Sequence, residues 1–166
     1  MMLRTSRLTL SALTEADWPF FLALRRSPDI MRFMGDIASE QEIRTRFDGR
    51  MQDGQLLIIR DYSGQQVGDI GLHISQHNLQ EADVGYAIAP SAQGKGYASE
   101  ALVALRDYAF RQTSVTALNA WVLAENQGSV RLLEKLGFTR VQVLEKAFTL
   151  NGVDYDDWVY RLEKEA

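Results

Sequence analysis

The sequence predicts a mixed α/β fold built on a mostly antiparallel central sheet. Short alternating or apolar runs follow one another through the first half of the chain. A glycine-rich loop then feeds a long amphipathic stretch, and a strand–helix–strand passage ends in a hairpin.

"RLTLSAL" sets Leu8 and Leu10 against Thr9 and Ser11, the alternation of a half-buried strand. Thr14, followed by Glu15 and Asp17, opens a helix whose apolar face carries Phe20, Phe21 and Leu24. "SPDIMRFMGD" reads as a short helical or looped connection, in which Phe33 and Met34 are apolar wall or core residues. Ser39 and Glu42 then form a capping box for a helix that Gly54 ends. "QLLIIRD", the turn "YSGQ" and "VGDIGLHIS" predict a hairpin, and "EADVGYAIA" a further strand before Pro90. Gly85 inside that strand marks a bulge or a close approach. "GYASEALVALRDYAFRQ" places Leu102, Leu105 and Ala109 at helical spacing, and "VTALNAWVLA" returns as a strand. "NQGSVRLLEKLGF" is a second helix, with Leu132, Leu133 and Leu136 inward and Gly137 at its left-handed end. "TRVQVLEKAFTL", an Asn151-Gly152 turn and "VDYDDWVYRLE" close the chain as a hairpin.

At 166 residues, with no linker, repeat or low-complexity stretch, residues 1–166 are expected to form a single domain. The absence of cysteine removes disulfides and thiolate metal sites, and two histidines, His73 and His77, do not make a metal cage, so no metal is expected. A net charge of −4, with both signs interspersed, argues against a nucleic-acid partner. Polar residues interrupt "MMLRTSRLTLSAL" too often for a signal peptide or membrane span, so no membrane partner and a cytoplasmic location are expected.

The chemistry concentrates in "SAQGKGYASEAL". A short glycine loop entering a helix leaves N–H groups aimed outward, which suits phosphate. A Walker loop needs Ser or Thr after its lysine, and Lys95 is followed by Gly96. A dinucleotide fingerprint needs a third glycine that "GKGYAS" lacks. What remains is the spacing Gln93-x-x-Gly96-x-Ala98 after "VGYAIAP", with "ENQGSVRLLEKLGF" downstream. A bare structural turn at Gly94 and Gly96 is the plainer alternative.

On these residues the sequence resembles the GNAT superfamily of N-acetyltransferases, from "RTSRLTLSALTEAD" through to "NGVDYDDWVYRLEKE", and most of all its ribosomal-protein N-terminal acetyltransferase branch. The resemblance implies a sheet with splayed fourth and fifth strands and helices on both faces. It implies acetyl-CoA as co-substrate, its pyrophosphate on the N–H groups around Gln93, Gly94, Lys95, Gly96, Tyr97 and Ala98, and its pantetheine arm along the backbone of Tyr86, Ala87 and Ile88. Lys95 is either a phosphate contact or a solvated charge. A tyrosine found in many members falls at Leu133 here; the resembled branch instead has a serine three residues after its asparagine, matched by Asn126 and Ser129, which implies a Ser129 hydroxyl that donates to the departing sulfur, or else caps the helix. Asn126 is a CoA contact on the resemblance and a cap on local chemistry.

An alkylammonium with a pKa of about 10 must lose a proton before attack, which calls for a carboxylate. Asp83 and Glu125 are the candidates. Glu100 in "SEAL" is read as a helix-dipole residue, and Trp121 and Tyr86 as core or acceptor-pocket wall. The sequence therefore points to direct acetyl transfer from acetyl-CoA to a primary amine, either a protein N-terminus or a small molecule, with a homodimer as the default assembly. The alternatives are a non-catalytic acyl-CoA sensor and a nucleotide-phosphate protein using the same loop.

Overall fold

The computed structural model describes residues 2–165. The strands are β1 (Met2–Arg4), β2 (Leu8–Ala12), β3 (Leu56–Asp61), β4 (Gln66–Ile74), β5 (Glu81–Ile88), β6 (Ala117–Leu123), β7 (Thr139–Leu150) and β8 (Val153–Glu163). The helices are α1 (Trp18–Arg26), α2 (Pro28–Met31), α3 (Glu40–Asp53), α4 (Tyr97–Gln112) and α5 (Gln127–Lys135). The sheet order is β1-β2-β3-β4-β5-β6-β8-β7. The short β1, which the alternation starting at Arg7 did not reveal, raises the numbering by one, so the strands expected to splay are here β5 and β6. No helix among the described residues is long and apolar enough to cross a membrane.

Two compact units divide the chain, one containing the residues up to Leu72 with Tyr86–Leu105, the other His73–Gly85 with the residues from Arg106 on. In the first, β3 is apolar on both faces, with Leu57, Ile58 and Ile59 at most 1% exposed, as a central strand requires. Phe21 of α1 and Phe47 of α3 meet with ring centroids 5.2 Å apart and, with Leu13, Ile43, Leu56 and Ile58, fill the space over it. Ser39 caps α3 by accepting from the Glu42 N–H at 3.2 Å, and Gly54 closes it at φ 68°. Thr14 and Asp17 open a single 3-10 turn ahead of α1, with the Thr14 N–H donating to Asp17 Oδ2 at 2.9 Å.

Two buried carboxylates brace this unit. Asp17 accepts from Arg60 and Gln66, each at 2.6 Å. Asp69 accepts from both terminal nitrogens of Arg25 at 2.9 and 3.2 Å. On β4 a Cβ at Gly68 would lie 2.3 Å from the Ala87 carbonyl oxygen, whereas no atom of the chain lies within 4 Å of one at Gly85. Glycine at 68 is a requirement of strand spacing.

In the second unit β6 pairs parallel with β5 and antiparallel with β8. The parallel ladder joins Glu81–Asp83 to Ala117–Asn119 and ends there, although β5 runs on to Ile88 and β6 to Leu123. Arg161 donates to both oxygens of Glu81 at 2.6 and 2.7 Å, and Asn119 donates to the same carboxylate at 3.0 Å. Those bonds hold the Glu81 carboxyl below its ordinary value. Tyr160, fully buried, donates to Glu134 at 2.7 Å, and burial with that partner pushes its hydroxyl up to about 12. Asn151 at φ 49° and Gly152 at φ 78° make the tight turn between β7 and β8.

Candidate active site

The loop behaves as its composition requires. Gly94 and Gly96 stand at φ 78° and 80°, conformations that a side chain strains, and they turn the chain from the Pro90–Ala92 turn into α4. Among the described residues no acceptor meets the N–H groups of Gly96, Tyr97 and Ala98, which sit at the positive end of a 16-residue helix. That arrangement accepts an anion. The Gln93 side chain is occupied within the chain, donating to the Ile88 carbonyl at 3.0 Å, so it braces the loop against the end of β5. Lys95 is exposed, and its carbonyl accepts from Arg7 at 2.8 Å.

Glu100 is more than a helix-dipole residue. It forms an ion pair with Arg7 at 2.7 Å and also accepts from Thr5. Burial pushes its carboxyl up, but the bonds from Thr5 and Arg7 outweigh that and hold it below the ordinary range. Sequence reasoning missed Arg7 altogether, because an arginine before a strand reads as solvated and its partner lies 93 positions away.

On β5, Asp83 is half-buried. Burial raises its carboxyl above the ordinary value, with the charge of His73 opposing and that of Glu81 adding to the rise. Glu125, the other carboxylate expected, is exposed. A carboxyl missed in the sequence, Asp157 on β8, is likewise raised by burial. It pairs in register with Leu123 on β6. Gly85 is exposed, while Ala87 and Ile88 are buried.

At α5 the structure separates the two cap candidates. Asn126 is the cap, its side-chain oxygen accepting from the Ser129 N–H at 3.4 Å. The Ser129 hydroxyl engages nothing among the described residues and is half-buried. Leu133, in the slot where the resemblance implies a tyrosine in other members, is 1% exposed and part of the core. Trp121, expected in core or pocket wall, is 50% exposed on β6, so it is not a core residue. Phe33 is half-buried under the Arg32 guanidinium at 4.8 Å, and Met34 is exposed.

Residues 7–139 match the acetyltransferase (GNAT) domain family. The chain belongs to the GNAT acetyltransferases. It is 29% identical to YoaA, an uncharacterised N-acetyltransferase of Bacillus subtilis (strain 168), over 98% of this chain and 96% of that one. A spermidine N-acetyltransferase of Vibrio cholerae, solved in complex with CoA and spermine, superposes with a TM-score of 0.87 at 26% identity, covering 96% of this chain and 97% of that one. The ribosomal L7/L12 α-N-protein acetyltransferase RimL, solved with coenzyme A, superposes at 0.85 and 22% identity over 99% of this chain and 98% of that one, a likeness of fold. As a GNAT acetyltransferase, the chain is an acetyl-CoA-dependent enzyme that acetylates a primary amine.

Proposed function

We propose that this GNAT enzyme works as one domain. In it the amides of Gly94, Lys95, Gly96, Tyr97 and Ala98 take the diphosphate of acetyl-CoA, and the backbone of Tyr86, Ala87 and Ile88 takes the pantetheine arm and the thioester carbonyl. The observation that carries this reading is the row of unmet N–H groups from Gly96 to Ala98 at the head of α4. The loop carries little bulk there: a Cβ at Gly94 would meet nothing within 4 Å.

Asp83 is the general base in this proposal. Its carboxyl, raised by burial, is a better proton acceptor than an exposed one. It takes the proton from the ammonium, directly or through a water. The freed nitrogen attacks the thioester carbon, the carbon–sulfur bond breaks as Ser129 donates a proton to the sulfur, and the second proton leaving the new amide nitrogen passes through water to restore the serine hydroxyl. Backbone N–H groups polarise the carbonyl without a dedicated side chain. Asn126, besides capping α5, contacts a CoA amide. Glu125, exposed, is the second carboxylate to test as base.

The acceptor in this proposal is a small polyamine or a protein N-terminus, the chemistries named for the Vibrio cholerae and ribosomal relatives. The enzyme acts in the cytoplasm and as a homodimer. The deciding experiment measures thiol release from acetyl-CoA over a panel of polyamines, peptides with free N-termini and amino sugars. Turnover with a panel member is expected. CoA binding without thiol release for any amine would replace catalysis with the sensor reading.

A further inference from the structure

We infer that Arg7 is a positioning residue for the cofactor loop: its guanidinium fixes the Lys95–Gly96 peptide so that the Gly96 N–H faces away from the protein, toward the diphosphate. The inference rests on the loop assignment proposed above.

The guanidinium is engaged on three sides. Its Nε donates to Glu100 Oε1 at 2.7 Å, its Nη1 donates to the Lys95 carbonyl at 2.8 Å, and its face lies 4.9 Å from the centre of the Tyr97 ring. The Arg7 backbone N–H donates to Glu100 Oε2 at 3.0 Å, and the Thr5 hydroxyl donates to that same oxygen. One carboxylate thus locks the turn from Thr5 to Arg7 against the first turn of α4, and the fork of Arg7 reaches from there to the loop.

The consequence follows from the peptide group itself. A planar trans peptide points its C=O and N–H in opposite directions. Drawing the Lys95 oxygen onto Arg7 therefore turns the Gly96 N–H the other way. The left-handed Gly94 and Gly96 leave this peptide otherwise free to rotate, so the clamp selects one orientation before any ligand arrives. The Nη2 atom lies 3.3 Å from where a Gly96 Cβ would stand, so the same guanidinium also backs the glycine. Because Glu100 neutralises Arg7, the contribution is orientation more than charge. Lysine, a point donor on a flexible stem, cannot hold the carboxylate and the carbonyl together.

The test compares acetyl-CoA with S-acetylpantetheine, which lacks the diphosphate, on the best amine of the panel. For Arg7→Gln the KM for acetyl-CoA is expected to rise roughly tenfold, the scale of one charge-assisted hydrogen bond. Its kcat, and kcat/KM with S-acetylpantetheine, should stay within about twofold. Arg7→Lys, which keeps the ion pair with Glu100 and guards against misfolding of the glutamine variant, should show the same donor-selective loss. Equal loss with both donors, no loss with either, or full recovery in Arg7→Lys would overturn the inference. A wild-type enzyme that does not prefer acetyl-CoA over S-acetylpantetheine would instead overturn the loop assignment beneath it.

Discussion

Replacing Gly68 with alanine is the sharpest single perturbation of the strand assigned to the pantetheine arm. The added Cβ would stand 2.3 Å from the Ala87 carbonyl oxygen, 2.9 Å from Ile88 Cδ1 and 3.1 Å from Ile88 Cα. The side-chain atom can rotate away; the two backbone atoms cannot. Ordinary contact begins near 3.4 Å, so β5 must retreat from β4 by about 1 Å, and the 2.8 Å bond from the Ala89 N–H to the Val67 carbonyl flanks the site of strain. Overpacking of a filled interior costs about 1–3 kcal/mol, and backbone against backbone belongs at the upper end. In a chain of this size about 3 kcal/mol lowers Tm by roughly 6–12 °C. Gly85→Ala is the matched control: nothing lies within 4 Å of its Cβ and its φ is not positive, so its Tm should stay within a few degrees of wild type. Thermal melts followed by circular dichroism, with the KM for acetyl-CoA measured well below the melt, read both effects. A Gly68→Ala protein that melts within about 2 °C of wild type would refute the reasoning, since no relaxed placement of that methyl then needed the strand to move.

Three further outcomes are expected. Because Asn126 and not Ser129 caps α5, Ser129→Ala should leave Tm nearly unchanged while turnover at saturating acetyl-CoA drops at least tenfold; unaltered turnover removes the serine from the chemistry. The Asp83 carboxyl is raised in the folded state, so the stability this group contributes is complete below its unfolded value and is lost as pH rises through the folded one. Asp83→Asn should therefore melt no lower than wild type at neutral pH, yet lose activity and the acidic limb of the pH–rate profile; retention of that limb would move the base to another group. Asp69→Ala strands Arg25, whose side chain is 16% exposed, and should cost about 3 kcal/mol or more in urea denaturation, with a loss under about 1 kcal/mol counting against a structural role for the pair.

What the sequence discloses and what it hides divide along a physical line. Periodicity marked α4 through Leu102, Leu105 and Ala109, all fully buried, and left-handed glycines marked the ends of α3 and α5, because these are properties of neighbouring residues. The turn at Gly94 and Gly96, both left-handed, was legible for the same reason. Contacts across long separations left no such trace: Arg7 with Glu100, Arg25 with Asp69 and Arg161 with Glu81 are each charged residues that local reasoning assigns to solvent. Gly68 escaped notice because its reason lies on the next strand, while Gly85 drew attention by its mid-strand position alone. The cap at α5 was ambiguous between Asn126 and Ser129, since both side chains suit the role and only geometry separates them.

The turn from Thr5 to Arg7 gives experimental access to the enzyme's central event. The protein contains no cysteine, and Ser6, exposed between the two residues tied to Glu100, can be exchanged for one without disturbing a described contact. A fluorophore on Ser6→Cys would be the only thiol-linked label in the molecule, anchored within the same braced corner as Lys95 and Gly96. With the donor held on the loop as proposed, its emission would register arrival and departure of the donor nucleotide in real time, with no amine present.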